Sequence, residues 1–377
     1  MSHWPDKYVI GLTGNIATGK SVVRKMLEHL GAYSIDADSL ANRAMAKGAP
    51  AYQQVVDIFG SWILDTNREI NRKKLGQLVF GAPDALRQLE EIVHPYVGQA
   101  IDLLVKRSKH DVIVIEAIKL LEGDLASKCD SIWVSDASKS LQLRRLIENR
   151  KLSEADAKQR IQAQGAQKDK IKAADIVIGN TGSFEGLWKQ VVAGWGEIAL
   201  DSTEDAAAEI VRKTKKGDFS VQRGHPRNSG EIATLMTDLG KIKMNASDVM
   251  AAFGEKAFFL LQLDDKPVGL AGWQVENLVT RTTDLYINGD ISPAEGLKAL
   301  VEEIEKASKS LQSEASLLFL NAQFAAEEAI LKNLGYEKRT PKSLGIQAWQ
   351  DAAEEKPDPD STLFFKQLRV DRVLRPI

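Results

Sequence analysis

Along the first two hundred residues, short apolar runs alternate with longer stretches in which apolar positions recur every three or four residues. The short runs are Tyr8–Leu12, Tyr33–Ile35, Val112–Ile115, Ile132–Val134 and Ile176–Ile178. Their nearly continuous β-rich apolar character predicts strands buried on both faces. In Ser21–Leu30 the positions Val22, Val23, Met26, Leu27 and Leu30 share one helical face. Leu141–Arg150 and Glu185–Ile198 read the same way. The alternation predicts a three-layer α/β/α domain built on a parallel sheet.

The rhythm changes after Leu200. Residues 201–217, DSTEDAAAEIVRKTKKG, are polar and charged, and read as a linker between a domain at 1–200 and another at 218–377. FSVQR (219–223) predicts a strand and SGEIATLMTDL (229–239) a helix. FFLLQLDDKPVGLAGWQV (258–275) predicts two strands joined by a tight turn at Asp264–Lys266. TTDLYI is a third strand, followed by a helix from Pro293 to about Leu311, the strand SLLFL (316–320), a helix at 324–333 and the strand TLFFKQL (362–368). This second domain reads as α+β.

Composition narrows the function classes. A formal charge of −2 over 377 residues gives no global field toward nucleic acid or membrane. The single cysteine, Cys129, excludes an intramolecular disulfide framework and fits a reducing compartment. The opening MSHWPDKYVIGLTG is not a secretory signal, and no apolar run reaches the roughly 20 residues of a membrane helix. A cytoplasmic protein is expected.

The chemistry begins at Gly14, Asn15, Ile16, Ala17, Thr18, Gly19, Lys20 and Ser21, which fit G-x-x-x-x-G-K-[ST] between a strand and an amphipathic helix. Glycines let successive amides turn inward as an anion nest, and the helix that follows adds the positive end of its dipole. Lys20 can reach the β- and γ-phosphates of ATP, and the Ser21 hydroxyl can ligate Mg²⁺. Asn-Lys-x-Asp, by which GTPases read guanine, is not found. The second strand ends in Ile35-Asp36-Ala37-Asp38, beside the crevice where ligands bind in such sheets. A carboxylate there can hold Mg²⁺ or accept the proton of an attacking hydroxyl, and one of the two can equally cap the following helix. Read as strand positions, Asp36 and Asp38 point the same way. Residues 144–172 carry nine Lys/Arg against four acids, a net of +5, between two strands. They read as a helical lid, with Arg145 and Arg150 the best candidates for phosphate contact.

These motifs, taken in order, resemble the dephospho-coenzyme A kinase family over residues 8–195. IGLTGNIATGKS resembles its phosphate loop, LGAYSIDAD its second strand, KGAPAYQQVVDIFG its segment running from a glycine to Phe-Gly, IVHP (92–95) its substrate-side His-Pro element, RRLIENRKLSEADAKQRIQAQ its lid, and AADIVIGNTGS (173–183) its closing strand and loop. The resemblance implies transfer of the γ-phosphate of ATP to the ribose 3′-hydroxyl of dephospho-coenzyme A. It implies that Asp38 is the base with Asp36 in support, that Lys20 and Arg145 contact transferring phosphate, and that Arg150 and His94 lie toward substrate. Gly14 through Val22 would hold ATP, with Asn180 and Gly182 beside adenine. The sequence departs from the family at Asn15 and Ala17, where glycine is usual, a change tolerable if φ is negative there. It departs again at Ile118-Lys119-Leu120-Leu121-Glu122, where Pro-Leu-Leu-x-Glu is usual. A kinase for another nucleoside or nucleotide, and a nucleotide-regulated binding protein, remain as alternatives.

Residues 218–377 more weakly resemble the acyl-CoA N-acyltransferase fold, through the hairpin and AILKNLGYEKR (329–339). The fold's pyrophosphate loop, Q/R-x-x-G-x-G/A, is missing from INGDISPAEGL, and Leu331 stands where a tyrosine acid is common. The resemblance therefore implies a non-catalytic or divergent module, with acetyl-CoA or a protein as its candidate ligand.

Overall fold

The computed structural model describes residues 2–198, 217–355 and 358–374. They divide into two compact units, Met1–Arg24 with Ala32–Gly182 and Asp371–Ile377, and Lys25–Gly31 with Ser183–Val370. Apart from Gly217, the expected linker at 201–217 lies outside the described residues.

In the first unit the five apolar runs become β1 (Tyr8–Thr13), β2 (Tyr33–Asp36), β3 (Val112–Glu116), β4 (Ser131–Asp136) and β5 (Ile176–Gly179). They pair only in parallel, in the order β2-β3-β1-β4-β5. Every residue of β1 after Tyr8 is buried, so the central strand is covered on both faces as its uninterrupted apolar pattern predicts. The chain leaves β1 toward β2 on one side and reaches β4 on the other. That reversal opens a crevice at the carboxyl ends of β1, β3 and β4.

Helix α1 (Lys20–His29) starts directly after the Gly14–Gly19 loop. Between β2 and β3 lie α2 (Ala37–Ala44), α3 (Tyr52–Phe59), α4 (Arg72–Gly81) and the 25-residue α5 (Pro83–Arg107), which carries Pro95 inside it. Between β4 and β5 lie α6 (Lys139–Glu148), α7 (Glu154–Gln162) and α8 (Gln167–Lys172). The side chains of Ser138 and Ser153 cap α6 and α7 by accepting the N–H groups of Leu141 and Asp156. Leu146 and Ala157 of these helices bury a small apolar core together with Ile16 of the loop.

The second unit holds α9 (Phe184–Ile198), β6 (Phe219–Arg223), α10 (Ser229–Asp238), α11 (Ala246–Ala252), β7 (Ala257–Leu263), β8 (Lys266–Glu276) and β9 (Val279–Ile287). It continues with α12 (Pro293–Ser310), β10 (Ala315–Leu320), α13 (Ala322–Ala325), α14 (Glu328–Asn333), β11 (Glu337–Lys338), α15 (Gln347–Glu354) and β12 (Thr362–Gln367). The strand order is β11-β12-β10-β9-β8-β7-β6. All neighbours are antiparallel except β9 and β10, which α12 joins as a parallel crossover. The turn expected at Asp264–Lys266 is formed by Asp264 and Asp265, with φ of 49° and 62°, the left-handed pair of a type I′ hairpin. The single helix expected at 324–333 is instead two short ones, α13 and α14. Leu297, Leu300, Val301 and Ile304 of α12 pack into the main apolar core against one face of this sheet.

Candidate active site

The loop after β1 accounts for nearly all of its backbone polar groups, and the exceptions define the site. Lys20 Nζ donates to the Gly14 carbonyl at 3.0 Å and to that of Asn15 at 3.4 Å. Thr18 returns both its N–H and its hydroxyl to Asn15 O. Arg145 Nη1 donates to Ala17 O at 3.1 Å, and Asn180 Nδ2 to Thr18 O at 2.9 Å. The carbonyls of Gly14, Asn15, Ala17 and Thr18 are therefore all held by donors of the chain. The N–H groups of Asn15 and Ile16 are taken by Gln167 Oε1 and Gln164 Oε1. Among the described residues, the N–H groups of Ala17, Gly19, Lys20 and Ser21 have no partner in the chain. Four neighbouring backbone donors are thus left open at the start of a helix beside a lysine, an arrangement suited to an anion. The Val22 amide, by contrast, is bonded to Gly19 O at 3.1 Å.

The glycines have distinct reasons. A Cβ on Gly19 would lie 1.8 Å from Asn180 Nδ2, and one on Gly14 would lie 2.5 Å from Ser135 O. Both also have positive φ, 98° and 147°. Asn15 is not among the residues of positive φ, but Ala17 is, at 59°. The condition under which alanine is tolerable there is not met: the loop holds Ala17 in a left-handed conformation that costs an L-residue about 1 kcal/mol.

Asp36 and Asp38 separate in role. β2 ends at Asp36, and α2 begins at Ala37, so Asp38 sits in the first turn of a helix. The strand alternation that would align them does not extend that far. Asp36 Oδ1 accepts the Ser39 N–H at 2.8 Å and caps α2. Asp38 Oδ2 accepts the Ile118 N–H at 3.1 Å, at the start of the run 118–122. Burial raises the Asp38 carboxyl to about 6, with the Asp36 charge adding to it and Lys20 opposing. The Ile118 carbonyl is held by the Thr13 hydroxyl at 3.1 Å and by the buried Lys170 Nζ at 2.5 Å. Lys119 reaches Glu90 of α5 at 2.5 Å and Glu122 at 3.4 Å.

The sequence reading missed Glu116, the last residue of β3. Its Oε1 accepts the Ser21 hydroxyl at 3.3 Å and its Oε2 accepts Arg24 Nε at 2.7 Å. Burial raises this carboxyl, and Arg24 works against the shift. The available signal was an acid closing the apolar run VIVIE at the crevice end of a strand. Burial lowers the Lys20 ammonium, with Glu116 and Asp38 opposing, while the Arg150 charge also lowers it. Arg150 itself is exposed after α6. Arg145 also donates to the Asn180 carbonyl and side-chain oxygen at 3.1 and 3.0 Å. Gly182 is exposed with open space around it. His94 is exposed on α5, within electrostatic reach of Asp124 rather than of the loop.

A phosphate nest, a lysine, a crevice carboxylate and a basic helical lid on a five-stranded parallel sheet define a phosphate-loop kinase. The family model for dephospho-CoA kinase matches residues 8–185. Curated dephospho-CoA kinases are similar at 43% identity over 192 residues in Geobacter metallireducens (50% of this chain, 96% of that one) and at 40% over 193 residues in Aquifex aeolicus (51% and 98%). The chain belongs to the dephospho-CoA kinase family. Among solved structures, a dephospho-CoA kinase from Campylobacter jejuni is 30% identical, covering 51% of this chain and 97% of that one with a TM-score of 0.35. A GNAT-family acetyltransferase from Staphylococcus aureus Mu50 is 12% identical, covering 40% of this chain and all of that one with a TM-score of 0.31. At those scores neither structural likeness bears on function.

Proposed function

We propose that the first unit transfers the γ-phosphate of ATP to the ribose 3′-hydroxyl of dephospho-CoA, with Asp38 as the group that orients the hydroxyl and takes its proton. The observation that carries the assignment is the position of Asp38. It is a crevice carboxylate raised toward neutrality, bonded to the backbone of the run 118–122 rather than spent on a helix cap. The four open amides and Lys20 would hold the β- and γ-phosphates, so catalysis is chiefly positioning and charge stabilisation. Arg145, already bonded to Ala17 O and Asn180, fixes the side of the loop where adenine would enter. Ser21 and Glu116 fit a Mg²⁺ ion. A hydroxyl and one or two carboxylates beside phosphate oxygens are the donor set this ion takes, and its charge would offset that of the phosphates. The assignment is tested by Asp38→Asn. ATP affinity, measured by calorimetry, should stay within about threefold while turnover with dephospho-CoA falls by roughly 10²–10⁴. Normal turnover in that variant would remove Asp38 from the chemistry.

We assign the boundaries as a kinase domain at 1–200, a linker at 201–217 and a module at 218–377. For the module, a non-catalytic role fits best. The start of α12, where a pyrophosphate would have to bind, is closed by Pro293 and by the Ser292 side chain, and carries Glu295 in its first turn. Leu331 is buried, and the Tyr336 hydroxyl is spent on Ser316 at 2.9 Å, with burial pushing the phenol far above its ordinary range. Saturable acetyl-CoA binding to the full chain, seen by calorimetry, would favour a divergent acyltransferase instead.

A further inference from the structure

The lid touches the phosphate loop through side-chain amides as well as charge. Gln164 lies in the connection between α7 and α8, and its Oε1 accepts the Ile16 N–H at 2.6 Å. Gln167, the first residue of α8, accepts the Asn15 N–H at 3.0 Å and donates from Nε2 to the Ser135 carbonyl of β4 at 2.9 Å. Asn15 Nδ2 answers with a bond to Gly165 O at 3.0 Å. The Ile16 side chain completes the contact by packing with Leu146 and Ala157 in the small core of α6 and α7. Two residues of the loop thus have backbone and side chain both committed to the lid.

We propose that Gln164 and Gln167 are positioning residues that preform the phosphate nest by latching the lid onto the front limb of the loop. The inference rests on the loop being a nucleotide site, as argued above. Amides are needed because each must neutralise a backbone donor without adding charge beside a triphosphate. A glutamate there would bond the same N–H but repel the ligand, and a lysine or arginine has no acceptor to offer. With Asn15 and Ile16 held, the loop keeps a single path into α1, and the open donors of Ala17, Gly19, Lys20 and Ser21 stay in place. The strained Ala17 is fixed between the latch on one side and Arg145 on the other. Released from the lid, the limb has no other partner for these two N–H groups and must sample other conformations before ATP binds. Removing one neutral bond of this kind should weaken phosphate binding by roughly 3–10-fold.

The opposite reading is that the glutamines occupy the nest and block it. The two readings differ in sign. Gln164→Met and Gln167→Met in the full chain keep side-chain length and remove the acceptor. The latch predicts that the dissociation constant for ATP rises in both, that for adenosine does not move, and kcat changes less than KM. Amide hydrogen exchange without ligand should quicken at Ile16 in Gln164→Met, with the melting temperature unchanged, while Gln164→Glu restores the protection. Tighter ATP binding in the methionine variants would overturn the proposal in favour of blockage. Unaltered exchange at Ile16, or equal weakening for adenosine and ATP, would overturn it as well. The exchange measurement uses no acceptor, so it stands or falls apart from the assignment of dephospho-CoA.

Discussion

At the scale of single residues, Asp38 and Ala17 are held in states the fold does not favour. The Asp38 carboxyl is raised from 3.8 to about 6, so the fold prefers its neutral form. Its contribution to stability is fully present below about pH 4 and is lost as pH rises through 6. Catalysis needs the ionised form. The kcat/KM for dephospho-CoA should therefore fall tenfold per pH unit below about 6 and level above it. For the same reason Asp38→Asn, which cannot ionise, should melt at a higher temperature than the native chain at pH 7.5 while losing turnover. A lower melting temperature would mean that the buried charge is better compensated than its neighbours suggest. Ala17→Gly should relieve the left-handed strain at φ 59° and stabilise the chain by about 1 kcal/mol, read by denaturant titration, with ATP affinity unchanged. Neither state could be read from the sequence. The alternation of a strand carries no mark that β2 stops at Asp36, and an alanine says nothing of its own φ.

At the scale of elements, the sheet of the first unit was legible because its strands are continuous apolar runs, bounded by polar residues. So were α1, α6 and α9, whose periodicity is strong. Between β2 and β3 the sequence marked only the start of α2, through a capping aspartate, and α3 to α5 emerged only in the structure. The split of α13 from α14 falls within a run of alanines and glutamates that marks no break. Likewise α11 and α15 are too short for their pattern to stand out. Of the site, the phosphate loop and both aspartates were visible, whereas Glu116 and the lid glutamines were not. A single acid after VIVI, and polar residues in a charged segment, look ordinary until tertiary structure brings them to Ser21 and to the loop. Glu116→Gln should raise the Mg²⁺ concentration needed for half-maximal turnover. It should also destabilise the chain, because Arg24 would lose the carboxylate at 2.7 Å that balances its buried charge. A magnesium titration alongside thermal melting checks both effects, and an unchanged midpoint would place the ion elsewhere.

At the scale of the whole molecule, the matched relatives are covered over 91–98% of their length by about half of this chain. The family model lies within residues 8–185, and every residue assigned to the site falls inside that range. A chain ending at residue 200 should retain turnover within about threefold of the full chain, as expected of an autonomous domain. Loss of turnover would mean that the second unit contributes to the fold of the first. Among the described residues no helix is long and apolar enough to cross a membrane. The measurement that bears most directly on the account is ATP consumption by the full chain with Mg²⁺ and dephospho-CoA, set against adenosine, AMP and other nucleosides as acceptors. The account predicts turnover with dephospho-CoA alone, and a product bearing a new phosphate on the ribose 3′-oxygen. Turnover with another acceptor and none with dephospho-CoA would contradict it, and would make the Lys119–Glu90 pair the first place to look for the change in substrate.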